Sequence, residues 1–427
     1  MACASAGSVA EQTIWLRLYA LAGEWLAPLL VVGAVLFNAG LAFVNAHAFP
    51  LSSGVVIAME VLIVGAAGGW AVLHLRPEMK PWIALAVFAV GFGLVRMGAM
   101  EDFNPKFIRD MLLPATFVML GITASPRSAT RAIVIIQIAV LIGVVWEAAA
   151  LDSFSQFFNP KEYYIATRGL SFDEFTNADS DLYISATRPE ERFFPFFELH
   201  RISSLFIEPV SLGNYVVTVT AFIAAFWRSL GGWKRAFLIL TNFLFLIACD
   251  GRFAFISSLL VVGSICFLSR AVQRVVPPFL LPVVTGCVML LSGLPELQSS
   301  ADDFAGRIGW TVRMLEGMGI EDWIGLSDQY LEASVDSGIV YLIITQSIFG
   351  VALYWAIVSM QAGASAAFRR YRLAICLTLA VGLLVSNAFV GIKTAAPMWF
   401  LFGVGLAMRG DEDDGVNRSG YGREAHA

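Results

Sequence analysis

The chain has 427 residues, 58% hydrophobic and only 14% charged, with a formal net charge of −5 and a mean hydropathy of +0.73. A soluble globular chain carries about 25% charged residues, so this composition excludes an ordinary soluble fold and points to a polytopic membrane protein. Part of the acidity is local, in Asp411-Glu412-Asp413-Asp414, which reads as a solvated C-terminal tail over 409–427.

Ala46-His47-Ala48 has the form of a signal-cleavage site, but the apolar run from Leu26 to Val44 is longer than a signal core. It suits an uncleaved spanning helix, for which about 20 apolar residues are enough. Further apolar runs follow, so that the set is 26–45, 54–75, 82–97, 111–124, 132–151, 210–227, 235–249, 253–269, 278–294, 338–360, 373–390 and 396–408. The predicted fold is all-α: a single membrane domain over 1–427 with about twelve transmembrane helices, the fourth, seventh and last being short.

Orientation follows from basic residues in the short connections. With the N-terminus inside, the inner connections hold Arg76 and Lys80; Arg127 and Arg131; Arg228, Lys234 and Arg235; Arg270 and Arg274; and Arg369, Arg370 and Arg372. Glu78 is their one acid. Both termini are then cytoplasmic, and two long loops, 152–208 and 295–337, share the periplasmic face. The shorter periplasmic connections lie near His47, over Arg96 to Asp110, at Cys249-Asp250-Gly251-Arg252, and around Lys393.

The first long loop is rich in aromatics, from Phe154 and Phe157 to Phe196 and Phe197, unlike a disordered segment. Its rings suit either anchoring at the headgroup level or stacking on carbohydrate. In the second, Phe304, Ile308, Val312 and Leu315 recur at helical spacing and predict a helix over 304–318.

Candidate chemistry gathers at the end of the first long loop, in His200 to Tyr215. Glu208 precedes Pro209, which pushes it out of helical geometry and places it at the mouth of the next helix. Its carboxylate reads as a cap or a general base. His200, Asp250 and Asp336 are further base candidates, although Asp336 before Ser337-Gly338 is also a plain N-cap and His200 also reads as a surface residue. Arginine on the periplasmic face has no topogenic role. Guanidinium matches phosphate oxygens, and Arg201, Arg252 and Arg307 lie nearest predicted membrane boundaries. Local ion pairs, Arg201 with Glu198 and Arg252 with Asp250, are the plainer alternative. Glu60 and Glu147 fall in or near apolar runs, where an acid is a functional candidate by default. The five cysteines lack metal-ligand spacing, and no nucleotide-binding or metalloenzyme motif is present. Asp179-Ser180-Asp181 reads as solvated rather than as a metal site.

Arg201-x-Ser-x-x-x-x-Glu208-Pro209 closing a long loop, Gly251-Arg252 in a short turn, and Arg307…Trp310…Gly325 before Asp336-Ser337-Gly338 resemble the O-antigen polymerase and ligase superfamily over roughly residues 100–405. The resemblance implies transfer of glycan from undecaprenyl diphosphate at the periplasmic face of the bacterial inner membrane. It implies no cofactor and no metal. Arg201, Arg252 and Arg307, with Arg313 beside the last, are then expected to bind the diphosphate, and Glu208, Asp336 and His200 to be the catalytic candidates. The expected partners are the lipid-linked glycan, the bilayer and a chain-length regulator protein, with no nucleic acid. Ligases of this superfamily resemble one another in a catalytic histidine in the second long loop; 295–337 has none, which favours a polymerase. The competing readings are an O-antigen ligase and a lipid-linked glycan transporter or flippase.

Overall fold

The structure, a computed structural model, describes residues 4–102, 104–171, 180–187, 193–194, 200–298 and 304–410, with the backbone alone for 4–23. Among the described residues helix is the only regular structure besides short 3-10 turns. The helices are α1 Ala4–His47, α2 Ser53–Leu73, α3 Lys80–Met100, α4 Pro105–Thr123, α5 Pro126–Ala149, α6 Leu151–Phe158, α7 Pro160–Arg168, α8 Pro209–Ala225, α9 Gly232–Cys249, α10 Arg252–Phe267, α11 Arg270–Val275, α12 Pro277–Leu290, α13 Phe304–Gly317, α14 Ile320–Trp323, α15 Gly338–Met360, α16 Ala366–Gly382 and α17 Ile392–Ala407. Each apolar run of the sequence falls within one of these helices or overlaps it.

Among the described residues, six segments are long and apolar enough to cross a membrane: Glu24–His47, Ser53–Leu73, Pro77–Met100, Pro126–Ala149, Gly232–Cys249 and Gly338–Met360. Shorter apolar helices are Pro209–Ala225, Arg252–Phe267, Pro277–Leu290 and Ile392–Ala407.

Local chemistry sets the helix ends. Proline opens α4, α5, α7, α8 and α12, where its missing N–H is no loss. Asn104, Ser125 and Ser365 cap α4, α5 and α16 by accepting a backbone N–H of the first turn. Ser337, not Asp336, caps α15: its hydroxyl accepts the Val340 N–H at 3.4 Å. Asp336 lies in the preceding 3-10 turn with its carboxylate turned to Arg307, so the plain-cap reading of Asp336 is corrected.

The helices form an inner group and a rim. α4, α8 and α17 are buried around most of their circumference, as expected for apolar helices inside a bundle. α4 and α17 touch backbone to backbone. A Cβ on Gly121 would lie 2.1 Å from the Phe400 carbonyl oxygen, and one on Gly403 2.0 Å from that of Val118. Small residues at such crossings let membrane helices approach without a hydrophobic driving force. Trp82, Trp399, Phe402 and Tyr354 fill the space beside this crossing. The rim helices α2, α3, α9, α10 and α12 turn leucine, valine and phenylalanine outward, for example Leu62, Val87, Leu240, Phe267 and Leu290. An exposed apolar surface of this extent, with six helices of spanning length, is that of a membrane protein.

The first long loop is folded against the bundle. α6 and α7 pack on α1, α2 and α5, and Phe154, Phe158, Tyr163 and Tyr164 are buried. Phe154, Phe157 and Phe158 pack around Trp146. Phe154, Phe158, Tyr163 and Tyr164 are thus core to the loop, while Phe157 is partly buried and Phe193 is exposed. The second long loop contains the expected helix as α13. Asp179 of the metal-like triplet and Glu198 of the Arg201–Glu198 pair lie outside the described residues.

Candidate functional site

Residues 200–208 connect the first long loop to α8 and are held at three points. At one end, the Glu147 carboxylate, fully buried in the last turn of α5, accepts the Ser203 N–H at 3.1 Å and the Ser204 N–H at 2.5 Å. His200 Nε2 donates to the same carboxylate at 2.9 Å. In the middle, Arg201 donates through Nε to the Cys249 carbonyl and through Nη1 to the Ser185 carbonyl, both at 3.2 Å. At the other end, Lys393 donates to the Phe206 carbonyl at 3.1 Å. Two residues here, Ser204 and Ile207, have φ of +51°. For a β-branched residue this left-handed conformation costs about 1–2 kcal/mol. Strain of this kind persists only where the surroundings over-determine it, and it gathers at functional sites.

Glu208 follows in extended geometry, φ −154° and ψ 115°, as its position before proline predicts. Its side chain caps no backbone N–H. It accepts Lys393 Nζ at 2.6 Å and Ser211 Oγ at 2.8 Å, and Arg168 stands 3.6 Å away. Two cations around one carboxylate leave the group one positive charge in excess. Tyrosines wall it in. Lys393 also donates to Tyr164 Oη at 3.2 Å, Arg168 lies 4.3 Å from the centre of the Tyr164 ring, and Arg168 donates to Tyr183 Oη at 3.2 Å.

The charges respond accordingly. Burial alone would raise the Glu208 carboxyl, but Lys393 and Arg168 hold it down at about 2. Burial, with the Glu208 charge nearby, pushes the Tyr183 phenol up to about 12. Burial would depress Arg168, yet Glu208 beside it drives its guanidinium above its ordinary value.

Lys393 is the second residue of α17, on the most enclosed helix, where the helix dipole disfavours a cation. The segment before it, 383–391, links the remaining candidates. The Thr311 hydroxyl donates to the Leu384 carbonyl at 2.8 Å, and the Asn387 N–H donates to the Val335 carbonyl at 3.3 Å, next to Asp336. Arg307 pairs with Asp336 at 3.1 Å. Phe389 meets Phe253, the neighbour of Arg252, at 5.7 Å between ring centres. Arg252 opens α10 in the turn whose Cys249 carbonyl Arg201 grips. In that turn Asp250 accepts the Phe193 and Phe194 N–H groups at 3.1 and 2.9 Å, so its carboxylate organises backbone. Arg313 donates to the Leu297 carbonyl at 3.1 Å, stacks over Trp310, and lines a separate cleft of about 310 Å³ with Gln298 and Glu316.

Glu208, Arg201, Arg252, Arg307, Asp336 and His200 are therefore gathered at one end of the bundle, on segments that touch one another, with Arg313 to one side. The sequence reading did not select Lys393, Arg168, Tyr164 or Tyr183. The available signal for Lys393 was a lone lysine entering an apolar helix. For Arg168 the signal was its place on the periplasmic face, which it shares with several other arginines of the loop.

A second polar group lies beside the first. Arg109 pairs with Glu60 and, at 2.5 Å, with Asp110, whose other oxygen accepts Tyr341 Oη at 2.5 Å. Arg96, 1% exposed, pairs with Asp328, donates to the Ile344 carbonyl at 3.3 Å and covers the Phe107 ring at 4.6 Å. That carbonyl is freed by a break in α15 at Ser347, with φ of +64° and ψ of 164°. Gly325, itself at φ +77°, packs against the break, where a Cβ would lie 2.9 Å from the Ser347 nitrogen. Among the described residues, no group of three or more histidines, cysteines or acids could hold a metal ion.

No protein-family model, no curated protein and no solved structure matches this chain.

Proposed function

We propose that this chain is a polysaccharide polymerase of the bacterial inner membrane. It joins oligosaccharide repeat units carried on undecaprenyl diphosphate into an exopolysaccharide, capsule or O-antigen, at the periplasmic face and without a metal. The observation that carries this reading is the cationic excess of Lys393 and Arg168 around Glu208, enclosed by tyrosines at the end of the bundle where Arg201, Arg252 and Arg307 also gather. A lipid diphosphate leaving group develops negative charge as the glycosidic bond breaks. Preorganised cations beside the bilayer stabilise that charge without a metal ion.

Topology supports the same reading. The basic connections between α2 and α3, α4 and α5, α8 and α9, α10 and α12, and α15 and α16 belong inside by the positive-inside rule. With twelve crossings both termini are cytoplasmic, and the candidate site faces the periplasm, where lipid-linked repeats are exposed.

A strain lacking this chain tests the reading. A polymerase defect leaves single lipid-linked repeat units, and the wild-type chain restores long polymer while Arg168→Ala and Lys393→Ala variants do not. Intact long polymer that fails to reach its acceptor would make the chain a ligase instead.

One observation favours a transporter as the second reading: the break in α15 against Gly325, next to buried Arg96, since broken helices and buried charges mark transport sites. Reconstituted chain that moves lipid-linked glycan across a bilayer without lengthening it would establish that reading.

A further inference from the structure

Glu147 is the most enclosed acid of the junction. It sits in the last turn of α5, where the helix dipole disfavours a negative charge, and its burial adds a further penalty. The Ser203 and Ser204 N–H groups and the Ser203 hydroxyl at 3.3 Å already satisfy it as an anchor for the strained segment. A fourth donor, His200, is added at 2.9 Å.

Unlike the carboxylate, the imidazole is not sealed in. Its side chain is 15% exposed, against 0% for Glu147. A carboxylate bonded to one ring nitrogen fixes the tautomer and orientation, and leaves the other nitrogen as the proton acceptor. Here Nε2 faces Glu147, so Nδ1 is the accepting atom. The same stretch, 200–208, ends in Glu208, whose carboxyl Lys393 and Arg168 keep ionised and occupied.

We propose that His200 is the general base of glycan transfer and that Glu147 is its positioning residue. This rests on the polymerase reading above. The acceptor hydroxyl oxygen attacks C1 of the donor sugar, and its proton passes to Nδ1 of His200. The bond from C1 to the diphosphate oxygen breaks, and the electron pair leaves on that oxygen. Glu147 keeps its hydrogen bond to Nε2 and stabilises the imidazolium. A base in this role contributes about 10²- to 10⁴-fold.

The test uses the full chain in lipid nanodiscs and lipid-linked repeat units extracted from a strain lacking the chain. It follows release of lipid diphosphate and glycan length. His200→Gln keeps an N–H for Glu147 but accepts no proton, so it is expected to fold as the wild type does and to lose about 10²-fold or more in rate. Added imidazole is expected to restore part of the activity of His200→Ala, which a structural role would not allow. Glu147→Gln is expected to lower kcat with KM unchanged. If the wild type extends glycans and His200→Gln does so within about threefold of it, the base assignment is overturned while the polymerase reading stands. If the wild type releases no lipid diphosphate, the polymerase reading fails and this inference fails with it.

Discussion

Lys393→Met removes one partner from the ion pair that joins α17 to the mouth of α8. The side chains of Lys393 and Glu208 are 7% and 16% exposed, so the carboxylate that remains is poorly hydrated. Removing one member of a buried pair costs roughly 3–5 kcal/mol, because the other charge is left uncompensated. Arg168, 3.6 Å from Glu208, offsets part of this, which puts the expectation near the lower end, at about 3 kcal/mol. Replacing both partners by apolar side chains avoids the stranded charge, so Lys393→Met with Glu208→Met is expected to lie within about 2 kcal/mol of the wild type. SDS titration of the purified chain in mixed micelles, followed by tryptophan fluorescence, measures the full double-mutant cycle. A single Lys393→Met variant within about 1 kcal/mol of the wild type, or strictly additive effects, would refute the claim that Glu208 depends on Lys393.

The depressed Glu208 carboxyl makes the site acid-sensitive: its contribution to stability is complete above the ordinary carboxylate range and fades as pH falls from about 4.5 toward about 2. Thermal stability in detergent is therefore expected to fall more steeply from about pH 4.5 toward about pH 2 in the wild type than in Glu208→Gln. At the α4–α17 crossing, Gly403→Val is expected to destabilise by about 3 kcal/mol or more, since its side chain would meet the Val118 carbonyl and only backbone movement could relieve the clash; Gly33→Ala, where nothing lies within 4 Å of the added carbon, serves as the neutral control in the same unfolding assay. Tyr341→Phe is expected to cost about 1.5–3 kcal/mol by removing the hydroxyl that donates to the buried Asp110 carboxylate. Arg307→Ala and Arg201→Ala are expected to stop chain growth in complementation, with membrane levels checked by immunoblot; long polymer in both strains would remove these arginines from the site.

The helices were legible in the sequence because hydropathy alone marks them: the runs at 54–75, 132–151 and 338–360 correspond to α2, α5 and α15. Proline fixed the start of α8, and with it the position and backbone geometry of Glu208. The same pattern could not show which partners Glu208 takes, because Lys393 and Arg168 are 185 and 40 residues away in sequence. Periodicity found α13 from its apolar line but not the pairing of Arg307 with Asp336, which depends on how the second long loop folds back. Glu147 reads from the sequence as an acid in or near an apolar run; that Ser203 and Ser204 close over it, only the folded loop reveals. The break at Ser347 carries no proline or glycine at the break itself; Gly325 packs against it and Arg96 takes the freed carbonyl, contacts made from distant parts of the chain.

The most direct measurement is glycan length on a gel after the purified chain, in nanodiscs, is given lipid-linked repeat units and excess EDTA. The account predicts a ladder of lengthened glycans with matching release of lipid diphosphate, undiminished by the chelator and absent from Lys393→Ala and Arg168→Ala preparations that still elute as folded protein. Repeat units that stay single with the wild type, or a ladder that disappears with EDTA, would contradict it.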